Sequence, residues 1–361
     1  MDVPHERLTA WLCHQVPDAD EVRIEGLDRL ELGHSAEMLA LTIVSRTGST
    51  ERAQDVVVRL RPPSPGLLEP YDLERQYRIL RALETTEVRA PAALWFEPSG
   101  HVLGREFLVM ERVPGDVYER VVPPELDADP TLIPRMCEGV IDQLAAIHAV
   151  DLAATGLDRL GDGATYLGRE LDRWTGEMRR VQRGPLPALE RLAEELRRQR
   201  PAPSDRVTLV HGDAKPGNFA FVGPEVSAVF DWEMSDVGDP LADIGYLELM
   251  WAYPVGITSR PTAPAIDDVL ARYQERSGIT LDHRAWYRAL QAYKTSVILL
   301  IGSMLFEAGH TDDMRGVEMA LGIDMTTQPG LRDLGVDEPL EAGPVLPSDE
   351  RIAAARAAAG R

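Results

Sequence analysis

The sequence predicts an α+β fold in two lobes, and three features of its pattern predict it. Residues 37–44 and 54–60 are strand-like and flank the turn-rich Ser45-Arg46-Thr47-Gly48-Ser49, which reads as a hairpin. Residues 71–83 follow with Leu73, Tyr77, Leu80 and Leu83 at helical spacing. From Thr131 onward the pattern is helical, interrupted by an island of short strands. The expectation is a small antiparallel β lobe with one helix over residues 1–112, and a larger, mainly helical lobe over 113–325. Residues 326–361 mix Pro, Gly, acids and an Ala/Arg run, and read as a loosely packed tail.

Element by element, Pro62, Pro63 and Pro65 end the second strand of the hairpin, and the helix over 71–83 comes next. Residues 105–113 are apolar and β-prone, and Pro114-Gly115 punctuates them as a hinge between lobes. Met136, Val140, Leu144 and Ile147 form a core stripe, and residues 166–199 read as further helix rich in charge pairs. The island consists of strands at 208–210, 219–222 and 227–230, the last two joined by Gly223-Pro224-Glu225. Helices resume at 241–251 and 267–304.

With 361 residues and 44% hydrophobic composition the chain can bury a sizeable core without staples. Cys13 and Cys137 have no CxxC spacing, so neither a disulfide framework nor a thiolate zinc site is indicated, and both read as reduced core residues. A formal net charge of -21 opposes a nucleic-acid partner, because phosphate binding needs clustered Lys and Arg. The start, Met1-Asp2-Val3-Pro4-His5-Glu6-Arg7, lacks the pattern of a secretory signal, and no stretch reads as apolar enough to cross a bilayer. The expectations are a cytoplasmic location and no membrane partner; oligomeric state is open.

The chemistry concentrates in His211-Gly212-Asp213-Ala214-Lys215-Pro216-Gly217-Asn218, followed after a short hairpin by Asp231-Trp232-Glu233. Phosphoryl transfer asks for a carboxylate that orients the attacking hydroxyl and accepts its proton, and for oxygen ligands to Mg²⁺ on the phosphates. Asp213 suits the first role; Asn218, starting one strand, and Asp231, ending its partner, suit the second. Lys215 can neutralise charge on the transferring group. Each piece alone is weak, but the ordered set with a hairpin between its parts is hard to ascribe to chance. Asp-Trp-Glu in place of Asp-Phe-Gly, with no Ala-Pro-Glu segment after it, argues against a protein acceptor and for a small hydroxylated one.

These motifs resemble the aminoglycoside phosphotransferase family, the branch of the protein-kinase-like fold that includes antibiotic and choline-kinase-like enzymes, over residues 32–304. The resemblance assigns the catalytic base to Asp213 and metal binding to Asn218 and Asp231, with ATP or GTP as phosphoryl donor. It makes Asp243, in Gly238-Asp239-Pro240-Leu241-Ala242-Asp243, a brace for the catalytic loop, and His148, in Leu144-Ala145-Ala146-Ile147-His148, a structural residue. It places Arg59 where a strand residue, commonly Lys, reaches the α- and β-phosphates, and Ser35 in the turn over them. Taken alone, Arg59 reads equally as an exposed strand charge and Ser35 as part of a plain turn. Met110 and the backbones of Glu111 and Val113 would meet the purine, although the same segment reads as a buried strand with a core methionine.

The chain departs from the family at Gln76, which stands where a Glu commonly partners the phosphate-binding base. Its amide could hydrogen-bond Arg59 without neutralising it. That departure motivates an alternative expectation, a nucleotide-binding or sensing protein of the same fold with weakened turnover. Analogy with kinase-like domains elsewhere raises a third setting, acyl-CoA or lipid metabolism, which no residue decides. Glu233 and Asp236 read as acceptor-facing or solvent-facing acids, and Trp232, Tyr246, Trp251 and Trp286 chiefly as core.

Overall fold

The structure is a computed structural model that describes residues 5–30, 37–202, 204–253 and 255–359. Its contacts divide the chain into two units. The first comprises Met1–Asp116 with Ala220–Val222 and Ser227–Glu233, and the second Val117–Phe219, Gly223–Val226 and Met234–Arg361.

The first unit contains α1 (His5–Gln15), β1 (Glu21–Leu30), β2 (Glu37–Thr47), β3 (Thr50–Leu60), α2 (Leu73–Leu83), β4 (Ala93–Glu97) and β5 (Phe107–Glu111). Its five strands form one antiparallel sheet in the order β1-β2-β3-β5-β4. The expected hairpin is present and longer than the sequence reading had it: pairing runs to Thr47 opposite Thr50, and Gly48 takes the left-handed conformation that the tight turn requires. Alternation along β3 sends Val56, Val58 and Leu60 into an apolar core with Leu8 and Leu12 of α1, and leaves Arg59 on the opposite face. Burying each of those leucines contributes about 1.5–3 kcal/mol. Helix α1 and edge strand β1 were not anticipated; the exposed face of β1 carries the Arg23–Glu25 and Arg23–Glu51 pairs, which mask its apolar alternation. On α2, capped by Asp72, the buried face holds Gln76 and Ile79, while Tyr77 stacks on Phe96.

A two-residue strand, β6 (Asp116–Val117), stands at the division between the units. Beyond it come α3 (Leu132–His148), α4 (Leu152–Thr155), α5 (Tyr166–Val181), α6 (Pro187–Arg198), β7 (Thr208–Val210), β8 (Phe219–Val222), β9 (Glu225–Val229) and β10 (Asp236–Gly238). Helices α7 (Leu241–Trp251), α8 (Ile266–Ser277), α9 (Arg284–Glu307), α10 (Arg315–Asp333) and α11 (Asp349–Ala359) complete the chain. Met136, Val140, Leu144 and Ile147 line the buried face of α3 as read. The helical stretch expected over 166–199 is two helices, because Pro185 cannot continue α5 and Pro187 opens α6 from its first position. Strand β10, which pairs with β7 through Val237 and Leu209, is too short to carry a periodicity.

The loosely packed tail is corrected. Helix α10 runs through residue 326 without a break, with Leu331 buried, and Ser303 of α9 donates to the carbonyl of buried Val345. Pro329-Gly330 reads as a breaker in sequence, yet it lies inside α10, where Gly330 lets the helix approach Ala292 and Leu192. The membrane reading also changes: α9 is long and apolar enough by length and composition to span a bilayer, with a window of mean hydropathy 1.4. That window is 78% buried inside the protein, as expected of a core helix. Cys137 is buried, whereas Cys13 is exposed rather than in the core.

Candidate active site

The motif at 211–218 lies in the second unit, in the loop that leaves β7. Gly212 sits at φ +83, and a Cβ there would come 2.3 Å from the carbonyl oxygen of Met234, so no other residue fits the turn. The loop is held from below by Asp243 at the start of α7. Its carboxylate accepts from the amides of His211 (2.7 Å) and Gly212 (2.8 Å) and from His148 Nε2 (3.1 Å). A carboxylate only accepts, so His148 donates from Nε2, and its Nδ1 shares a hydrogen bond with the Tyr273 hydroxyl (2.6 Å). Burial works against the charge on Asp243, but the His148 bond and charge, with His211, hold its carboxyl below the ordinary value. Asp243 and His148, both buried, thus brace the loop.

Asp213 projects from this support. Asn218, at the end of a 3-10 turn over Pro216–Asn218, donates its amide to Asp213 Oδ2 and to the Asp213 carbonyl, both at 2.7 Å. Asn218 precedes β8 rather than starting it, because the turn is needed to swing its amide back to Asp213. The bonds occupy the nitrogen and leave the amide oxygen as a donor to a hard cation. Burial of Tyr246 on α7, followed by the charge of Asp213, raises its hydroxyl well above the usual tyrosine value. Lys215 pairs with Glu119 at 2.7 Å.

The first unit carries the other motif residues. Asp231 is a non-glycine residue at φ 66, a conformation that costs energy and recurs at functional positions. Arg59 donates to Asp231 Oδ1 at 3.2 Å and to Glu233 Oε2, with the arginine side chain 8% and the Glu233 side chain 9% exposed. Burial opposes the guanidinium charge, but Glu233 and Asp231 outweigh it and raise its pKa. Arg59 is therefore neutralised by two carboxylates and not by Gln76, which is buried on α2 and does not bond it. Two acids already on one cation make a third at position 76 unnecessary. Nε of Arg59 is buried with no hydrogen-bond partner, a donor available to an anion. Glu111 gives its amide to the Ala92 carbonyl (2.9 Å), Met110 and Val113 are half-buried, and Ser35 lies outside the described residues.

Of the secondary candidates, Glu233 faces Arg59 and Asp236 pairs with Arg169, so neither reads as an acceptor-facing acid here. The indoles of Trp232, Trp251 and Trp286 donate to backbone carbonyls, as core residues do. Tyr246 is the exception, and its spacing three residues beyond Asp243 on one helix face was the available signal.

Residues 42–290 match the profile of the Phosphotransferase enzyme family. The chain belongs to this family. Solved structures agree on its protein-kinase-like fold. A crystal structure from Ralstonia eutropha, provisionally described as an aminoglycoside phosphotransferase, superposes with TM-score 0.73 at 24% identity over 92% of this chain and 99% of that one. Aminoglycoside phosphotransferase APH(4)-Ia, in ternary complex with ADP and hygromycin B, gives 0.57 at 14% identity over the same shares. Among curated relatives, acyl-CoA dehydrogenase family member 10 of Mus musculus is 31% identical over 259 residues, 68% of this chain and 24% of that protein. Family member 11 of Homo sapiens is 29% identical over 63% of this chain and 28% of its own length. The chain spans about a quarter to a third of the curated relatives it matches. Family and fold together make it a member of the Phosphotransferase enzyme family with a protein-kinase-like fold.

Proposed function

We propose that the protein transfers the terminal phosphoryl group of ATP or GTP to a hydroxyl of a small molecule, with Asp213 as catalytic base. The observation that carries this reading is Asp213 itself, a carboxylate gripped by Asn218 on a loop anchored through Asp243. In the step, the acceptor hydroxyl passes its proton to Asp213 as its oxygen bonds the terminal phosphorus, and the bond from phosphorus to the nucleoside diphosphate breaks. Lys215, released from Glu119, would balance charge on the transferring group. Arg59 would present its buried Nε to the nucleotide phosphates, with Ser35 above them and Met110, the Glu111 carbonyl and the Val113 amide toward the purine.

By chemistry, the Asn218 side-chain amide oxygen and the Asp231 carboxylate are each the kind of hard oxygen ligand that Mg²⁺ takes one or two of, with substrate phosphates completing its shell, and each would suit the ion. When bound it supplies charge neutralisation at the phosphates. Among the described residues no cluster of three or more His, Cys, Asp or Glu side chains offers a competing metal site.

The test is acceptor-dependent nucleotide consumption by the wild type beside Asp213→Ala. The panel should hold aminoglycosides and macrolides, which the structural neighbours' names suggest, and hydroxylated acyl-CoA thioesters, which the curated relatives' names suggest. The expected result is transfer to one class and a loss of about 10²–10⁴-fold in the variant. Equal consumption by both proteins would end the reading. Nucleotide binding without turnover would instead support a sensor.

A further inference from the structure

The second unit buries a cation that the transfer step does not use. Lys294, on the inner face of α9, is 3% exposed and donates its ammonium to the carbonyl of Gly212, the residue before Asp213. The same ammonium lies 5.1 Å from the centre of the ring of Tyr246, whose hydroxyl is raised by burial and then by the Asp213 charge. One cation therefore holds the main chain that precedes this carboxylate and a ring within reach of its charge.

An ammonium is an expensive way to satisfy a carbonyl inside a protein. Taking it out of water costs several kcal/mol, and an apolar residue of similar volume is commonly as stable or more so. Burial holds Lys294 below the ordinary lysine value, against the pull of Glu170 on α5, Asp213 on the loop and Asp243 on α7, while Arg173 on α5 lowers it further. Fold stability alone thus gives no reason for a lysine at 294. A reason appears at the loop: the carbonyl of Gly212 must be held where Gly212, at φ +83, has no side chain to hold it. The cation–π contact also fixes the Tyr246 ring, whose hydroxyl feels the Asp213 charge.

We propose that Lys294 is a positioning residue for phosphoryl transfer, tying α9 to the catalytic loop through Gly212 and to the Asp213 carboxylate through Tyr246. The inference rests on the assignment of Asp213 as base and deepens it. Lys294 touches no reactant; it sets the direction in which the carboxylate meets the acceptor hydroxyl.

Lys294→Met tests it in the full-length protein. The expected result is a fall in kcat of about 10–100-fold with the nucleotide KM unchanged and Tm equal to or above wild type. A residue that only supported the fold would lose activity in step with stability. Tyr246→Phe keeps the ring over the ammonium and removes the hydroxyl, and should lower kcat by about tenfold at unchanged Tm; it decides alone should Lys294→Met fail to fold. Wild-type kcat in either folded variant overturns the proposal. Should the wild type turn over no faster than Asp213→Ala, the reading of the reaction has failed and not this one, which then stands on amide exchange. In Lys294→Met the amides of residues 211–213 should exchange about tenfold faster while α9 stays protected, and unchanged exchange there overturns it.

Discussion

The two units solve opposite electrostatic problems with the same few residue types. In the first, a buried cation, Arg59, is held by two carboxylates, Asp231 and Glu233, and keeps one nitrogen unpaired. In the second, a buried carboxylate, Asp243, is held by backbone amides and an imidazole that also bonds Tyr273. The difference teaches what each group is for. Asp243 is saturated and works as framework, while Arg59 keeps a buried Nε without a hydrogen-bond partner. Low local dielectric makes both arrangements costly to break, but only the second should fail without any ligand present.

The sharpest way to break this comparison is Asp243→Ala. It strands the amides of His211 and Gly212 and the His148 ring, and should cost about 3–5 kcal/mol in chemical denaturation, with activity lost. Gly212→Ala comes next: the positive φ and the approach to Met234 should together cost about 2–4 kcal/mol and displace the loop. Glu233→Gln removes one of the two charges on Arg59 and should cost about 1–3 kcal/mol, with a larger relative loss in nucleotide binding than in loop stability. A loss from Glu233→Gln exceeding that from Asp243→Ala would reverse the assignment of framework and ligand site.

Two smaller effects are read along pH. The folded-state value of Asp243 lies below that of an unfolded carboxylate, so its stabilisation is full above the ordinary carboxylate range and is lost as pH falls through the depressed value. Acid unfolding of the wild type should therefore begin below that range, and Asp243→Asn should flatten the acid limb of the stability curve. For Lys294 the sign is opposite in its consequence. Its folded value is depressed, so the charged group opposes folding at neutral pH and the opposition fades as pH rises from the folded value toward the ordinary lysine value. Lys294→Met should thus raise Tm most near neutrality, with the gain shrinking at alkaline pH.

Legibility followed the range of the interaction. The α3 stripe, the β2–β3 hairpin, the β8–β9 turn and the ordered motif from His211 to Asp231 announce themselves because their signals are local: a period, a glycine at a turn, a spacing between polar residues. Helix α1, with only Leu8 and Leu12 buried, and β1, dressed in charge pairs, carry too little apolar pattern to be read. Pro329-Gly330 carries a misleading one, since a breaker inside a helix is tolerated when close packing repays it.

What the chain's residues alone determined is the inventory: a kinase-like order of strands and helices, the ordered motif that holds Asp213, Asn218 and Asp231, and a basic residue on the third strand. Only the tertiary structure decided the partners. Arg59 and Glu233 are 174 positions apart, and Lys294 and Gly212 are 82. No periodicity or spacing spans such intervals; the pairs exist because packed sheets and helices bring distant side chains into low dielectric, where an unpaired charge must find an opposite charge or a dipole.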